Sequence, residues 1–150
     1  MKNAGAVVSL LLAFVTFSAA QAQTTKPLQV TTEQVQRVEI LYFPERVLVR
    51  VALTPERLEQ LYEYKLELRD VRQSAQWQRL LPLLRQTSVQ ADGRSYDHRT
   101  AVLLFDNDGR RIASLYFGQF GTGGTVNGES GKISGGMYRW AQALLKGVME

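Results

Sequence analysis

The chain has no cysteine and a single histidine, His98, in 150 residues. These two scarcities exclude more chemistry than any motif proposes. Without a thiol there is no disulfide framework, no thiolate nucleophile and no cysteine to carry a lipid. With one imidazole and no thiol, a structural zinc site within one chain is excluded. An Asn-x-Ser/Thr acceptor is also missing. An exported chain with neither disulfides nor glycosylation points to a bacterial source.

Charge is scarce at the start: Lys2 is the only charged residue among the first 22. A short basic beginning, an apolar core over residues 6–17 and the small-residue pattern Ala20-Gln21-Ala22 predict a signal peptide over 1–22, cleaved before Gln23. The apolar core is too short to span a bilayer, which needs about 20 residues. The product is therefore expected in the periplasm or outside the cell, with no transmembrane anchor after cleavage. Removing Lys2 from the 18 basic residues leaves 17 against 14 acidic ones, close to +3. Thirteen of the 17 are arginines, scattered from Arg37 to Arg139 among acids. A nucleic-acid reader clusters its cations on one stripe with stacking aromatics, so nucleic acid is not the expected partner.

After a flexible leader over 23–34, a single domain is expected over 35–150. Period-two alternation over 38–43 and again over 47–53, either side of Pro44-Glu45, reads as a strand hairpin. Thr54-Pro55-Glu56 starts a helix with Leu58, Leu61 and Tyr62 on its inner face. Residues 64–69 alternate as a third strand, with a longer helix as the competing assignment. Ser74 caps a second helix carrying the stripe Trp77, Leu80, Leu81, Leu84, which Pro82 is expected to kink or break. Residues 87–96 read as a polar loop. Residues 100–105 and 110–117 form a hairpin around Asp106-Asn107-Asp108-Gly109, and the unbroken apolar run at 101–105 predicts a central strand covered on both faces. Eight of the 12 glycines fall within 118–136, around a possible short strand at 125–129. Met137, Trp140, Ala141, Leu144, Leu145 and Val148 then form a helical stripe. The order predicts an α+β fold: a mainly antiparallel sheet of about five or six strands packed by two or three helices.

No catalytic set is complete. Gly128-Glu129-Ser130-Gly131-Lys132-Ile133 imitates a phosphate-binding loop, but Val126 stands where the loop needs its first glycine and Ile133 where it needs Ser or Thr. What remains is Ser130, Lys132 and Ser134 just before a helix, with Arg139 one turn further, an arrangement that would suit an anion. Ser134 or Gly135 as a plain helix cap is the simpler account. His98 lies beside Asp97, yet adjacent strand residues face opposite ways, so Asp97 is poorly placed to orient it. Asp106 and Asp108 have the wrong glycine spacing for a calcium loop.

These readings lead to an exported binding domain without catalysis, for a protein partner, of the inhibitor or immunity-factor kind. Its contacts are expected in the glycine-rich loop at Phe120, Gly123, Gly124, Asn127, Ser130, Lys132, Ser134 and Arg139, with His98 and Arg99 secondary. No metal or cofactor is expected. The alternative is an enzyme or small-ligand binder for an anionic or cell-envelope substrate, using the same loop.

Overall fold

The computed structural model describes residues 24–149, so the signal peptide expected over 1–22 lies outside the described residues. Its strands are β1 (Thr25–Pro27), β2 (Arg37–Tyr42), β3 (Tyr64–Leu68), β4 (Ser88–Ala91), β5 (His98–Phe105), β6 (Arg111–Gly118), β7 (Gly123–Val126) and β8 (Glu129–Ser134). They form one antiparallel sheet in the order β1-β4-β8-β7-β6-β5-β2-β3. Three α-helices accompany it: α1 (Pro55–Leu61), α2 (Ala75–Gln86) and α3 (Met137–Met149).

Every residue of β5 is buried, which is what an apolar run without polar alternation demands of a central strand. One face of the sheet, the helix face, packs Val38, Ile40, Val102, Leu104, Leu115 and Phe117 against Leu80 and Leu84 of α2 and Met137, Trp140, Ala141 and Leu145 of α3. The other, the loop face, packs Leu41, Ala101, Leu103, Phe105 and Tyr116 under Leu58 of α1 and Phe43 and Leu53 of the chain before it.

Eight strands exceed the five or six expected, for local reasons. The expected leader contributes β1, which pairs with β4, while the next residue, Leu28, is nearly buried and donates its N–H to the Thr87 carbonyl at 2.8 Å. The expected polar loop at 87–96 contains β4, whose single buried residue, Val89, is too little pattern to show in sequence. The glycine-rich segment supplies two strands rather than one, turning at Asn127-Gly128, where both φ angles are positive (48° and 85°), the requirement of a two-residue hairpin.

The strand expected at 47–53 is not one. Val47, Val49 and Leu53 do face the loop-face core, but none of them lies in a strand, Leu53 bonding the β5 backbone only by accepting from His98 N–H at 3.0 Å; Leu48 is 93% exposed, and β2 pairs instead with β3 and β5. Period two reported the covering of Val47, Val49 and Leu53, interrupted at Val51, and not pairing. Residues 64–68 are a strand, so the helical alternative fails.

The Thr54 hydroxyl caps α1 by accepting from Arg57 N–H at 3.3 Å, with Pro55 in the first turn. Of its expected inner face only Leu58 is buried; Leu61, the last residue of the helix, and Tyr62 after it are 49% and 37% exposed. The Ser74 hydroxyl does not cap α2; it donates to the Val71 carbonyl at 2.7 Å. Helix α2 continues through Pro82, which lies on its exposed side. In α3 the first acceptor is the Gly136 carbonyl, bonded by Trp140 N–H at 3.0 Å, in place of an expected cap at Ser134 or Gly135.

The glycines serve close approach. A Cβ on Gly124 would lie 1.8 Å from the Tyr116 carbonyl oxygen, and one on Gly131 2.1 Å from that of Gln90. Neither neighbour is a side chain that can swing away. Gly124→Ala and Gly131→Ala are therefore expected to cost about 1–3 kcal/mol or more in chemical denaturation. Gly147→Ala, at a helical site with nothing within 4 Å of the added carbon, is expected to stabilise by about 0.5–1 kcal/mol.

Candidate functional site

The strand β5 opens with an irregularity that places two functional side chains. Between His98 and Thr100 the pairing with β6 slips by one residue, leaving Arg99 as the extra residue of a bulge. His98 consequently turns to the loop face while Thr100, two residues on, reaches the helix face and accepts from the Gln142 side-chain amide of α3 at 2.9 Å.

His98 is 4% exposed, with both ring nitrogens engaged. Nδ1 lies 2.9 Å from the Leu53 carbonyl oxygen and Nε2 3.0 Å from the Thr125 hydroxyl. A carbonyl only accepts, so Nδ1 carries the proton and Nε2 accepts from Thr125. The Thr125 oxygen is then free to accept from Ser130, whose hydroxyl is 3.1 Å away. The result is a hydroxyl chain from half-buried Ser130 through Thr125 to a buried imidazole. Tyr116 closes the side of the ring edge-on, with centroids 5.9 Å apart. Desolvation holds the imidazole pKa below its ordinary value, against the opposing effect of the Leu53 hydrogen bond and the Asp97 charge. Ser–His acyl-transfer chemistry needs direct contact and an orienting acid. Here Thr125 stands between, and a backbone carbonyl takes the place of the acid.

Asp97 acts on the neighbouring backbone instead. Its carboxylate accepts from Leu53 N–H at 2.7 Å and from the Arg99 guanidinium at 2.6 Å. Arg99, 7% exposed, donates further to the carbonyls of Val47 (3.0 Å) and Pro44 (3.3 Å) and lies 5.3 Å from the centre of the Phe43 ring. The irregular segment 43–54 is thus fixed at its base, and its outward residues Leu48 and Val51 are held in solvent at 93% and 61% exposure.

Tyr138 joins this segment to the turn before β7. Its hydroxyl donates to the Gln119 carbonyl at 3.0 Å and lies 3.5 Å from the Glu45 carboxylate. Burial, then the Glu45 charge, push the phenol up to about 12. That turn carries Phe120, 75% exposed. Beside Glu45 a groove of about 340 Å³ is lined by Tyr42, Pro44, Glu45, Arg46, Tyr64 and Met149. The large hydrophobics exposed among the described residues are Leu48, Val51, Leu61, Tyr62, Phe120, Val148 and Met149. All lie in segments that meet at this end of the sheet: Leu61 and Tyr62 precede Glu63, whose N–H bonds the Tyr42 carbonyl, and Val148 adjoins Met149 of the groove.

The residues singled out from sequence are therefore divided. His98 and Ser130 share one network, Arg99 adjoins it, and Phe120 lies at the exposed apolar end. Gly123 and Gly124 are buried in β7, Gly123 beneath the Tyr96 ring. Asn127 sits at the far end of β7, where its side-chain oxygen accepts from Ser114 N–H at 2.9 Å. Lys132 and Ser134 are exposed on the same side of β8 as Ser130, whereas Arg139 belongs to α3, which packs the opposite face, so these four do not converge. Sequence reasoning passed over Leu48, Val51 and Thr125. The signal for Leu48 was the exposed half of an alternation with no strand partner; Val51, in phase with Val47 and Val49, breaks that alternation at 61% exposure. Thr125 depends on contacts far along the chain and had none.

Among the described residues no group of three or more His, Asp or Glu is placed to hold a metal ion, and no helix is long and apolar enough to cross a membrane. Because the folded imidazole titrates below its ordinary 6.5, the unfolded chain binds the proton more readily as pH falls through that value. Stability is thus expected to be complete above about pH 6.5 and to decline below it, toward the folded pKa. Denaturation midpoints measured from about pH 7.5 to about pH 5.5, above the main carboxylate range, should show this decline in the wild type and a flatter profile in His98→Gln; equal slopes would mean His98 does not carry it. No family model, curated protein or solved structure matches this chain.

Proposed function

We propose that the protein is an exported bacterial binding domain, periplasmic or secreted, that engages a protein partner without catalysis of its own, in the manner of an inhibitor or immunity factor. The observation that carries this reading is the gathering of exposed large hydrophobics at one end of the sheet, led by Leu48 and Phe120 at 93% and 75% exposure. Apolar side chains scattered singly over a surface need no explanation, whereas a gathered set marks an interaction surface. Its mounting also favours binding. The 43–54 segment is tied by Arg99, Asp97 and Tyr138, so little conformational freedom remains to be lost on association. Arg46 and Arg50 flank the apolar tip and add charge for orientation and encounter.

Leu48→Glu combined with Phe120→Ser tests this reading. Both residues are exposed, so the variant is expected to keep the wild-type melting temperature while partner recovery from periplasmic extract and culture medium falls at least tenfold. Unchanged recovery by the folded variant removes this end of the molecule from the interface.

A second reading, a small-ligand binder or enzyme for an anionic or envelope substrate, is favoured by one observation, the Ser130–Thr125–His98 hydroxyl chain opening beside Lys132. The two readings separate on Ser130→Ala with Lys132→Ala. The ligand reading expects loss of any thermal stabilisation by anionic envelope fragments; the protein-partner reading expects unaltered capture.

A further inference from the structure

The sheet ends at β3, and among the described residues no strand lies beyond it. An open strand edge is a template for another strand, and natural edges commonly carry charge to prevent such pairing. The charges on this edge have an unusual order. From residue 63 to 69 the chain reads Glu-Tyr-Lys-Leu-Glu-Leu-Arg. We propose that β3 pairs antiparallel with β3 of a second copy, about a twofold axis through Leu66, to give a symmetric dimer with one continuous sheet.

In that register Lys65 stands opposite the second copy's Glu67, and Glu67 opposite its Lys65. On the other face Tyr64 meets Leu68 and Leu66 meets Leu66. One residue past each end of the strand, Glu63 meets Arg69. Every charged position faces its opposite and every apolar position faces an apolar one. The neighbouring registers that keep each residue on its own face fail this test. Centring on Lys65 opposes Lys65 to itself and Glu63 to Glu67; centring on Glu67 opposes Glu67 to itself and Lys65 to Arg69. Like charges directly opposite destabilise a strand pair, so the same residues that block slipped pairings select one.

The surroundings fit the same reading. No residue of β3 is fully buried, although it lies beside a strand with four buried residues. Tyr64, Leu66 and Leu68 are half-buried, and Leu66 and Leu68 pack against the helix-face core, an apolar row that a second copy would extend. On the loop face Lys65 bonds Glu39 at 3.0 Å and lies 3.9 Å from Glu67, which bonds Arg69 at 2.5 Å. The second copy's Glu67, Lys65 and Glu63 continue this alternation of sign across the twofold axis. A twofold interface requires a self-complementary surface, which this order supplies. One short edge is a small interface, so the dimer is weak and dissociates on dilution.

The test uses two charge reversals, Lys65→Glu and Glu67→Lys, with sedimentation velocity on the full chain from roughly micromolar to roughly millimolar concentration. The wild type associates as concentration rises. Each variant alone opposes like charges at both central pairs and is expected to dissociate at least tenfold more readily. An equimolar mixture regains wild-type association as a heterodimer. In that pair the carboxylate introduced at position 65 of one chain faces the ammonium introduced at position 67 of the other, while the first chain's native Glu67 faces the second's native Lys65. A wild type that stays monomeric throughout, or a mixture no better than its components, overturns the pairing. If thermal melts show either variant unfolded, single thiols in this cysteine-free chain decide the matter. Leu66→Cys is expected to form a crosslinked dimer under mild oxidation and Glu63→Cys is not; equal crosslinking at both, or none at Leu66→Cys, rejects the register.

Discussion

The Arg99 guanidinium holds down the middle of an irregular stretch of chain that the sheet bonds at its ends, through Phe43 N–H to the Arg99 carbonyl and His98 N–H to the Leu53 carbonyl. A strand buried along its whole length, as β5 is, needs cover on both faces. On the helix face two amphipathic helices provide it. On the loop face the cover is partly irregular backbone, and buried carbonyls outside a helix or ladder must find donors elsewhere. Arginine presents five donors in a fixed fork and remains charged under all ordinary conditions. One side chain can therefore satisfy the Pro44 and Val47 carbonyls and still pair with Asp97. Asp97 in turn takes the Leu53 N–H, and His98 takes the Leu53 carbonyl. Three consecutive residues, Asp97, His98 and Arg99, fix both ends of the segment that covers the sheet.

The bulge at Arg99 makes this possible. In a regular strand His98 and Thr100 would share a face. The extra residue separates them, sending His98 toward Leu53 and Thr125 and Thr100 toward α3. The same slip that anchors the covering segment also links it to the β7–β8 hairpin through the imidazole, so the two halves of the loop face are joined by a neutral, buried ring. Neutrality is a condition of this contact: a charged imidazole would have to donate from both nitrogens and would displace the Thr125 hydroxyl from its donor role.

Local signals were legible in the sequence and relational ones were not. The Thr54-Pro55 start of α1, the β5–β6 hairpin with its Asp106–Gly109 turn, the α3 stripe and the antiparallel α+β class each follow from residues within one turn or one strand of each other. The 47–53 alternation misled because it reflects the covering of Val47, Val49 and Leu53, though not of Val51, and says nothing of where the backbone hydrogen bonds go. Pro82 does not break α2: the helix runs on past it, with the buried Leu80 and Leu84 on either side packed against the sheet. The Asn127-Gly128 turn was readable as a hairpin signal and was hidden by glycines on both sides. For the site, the histidine was visible as a residue, but its partners lie 27 and 45 positions away along the chain, beyond any periodicity.

Glycine density is the feature whose meaning changes most between sequence and structure. A cluster of glycines suggests a mobile loop, yet Gly123, Gly124 and Gly131 lie in paired strands where a methyl group would strike a ring or a carbonyl oxygen. Their effect is nearness rather than motion. Gly123 admits the Tyr96 ring to the loop face, and Gly121 admits Tyr138, whose ring would be 2.2 Å from a Cβ there. Once admitted, Tyr138 spans from the turn bearing Phe120 to Glu45 at the start of the segment bearing Leu48. The effect of the glycines is therefore indirect. By removing side chains from the sheet they let an aromatic bridge bring two exposed apolar tips, distant in sequence, to the same end of a rigid frame.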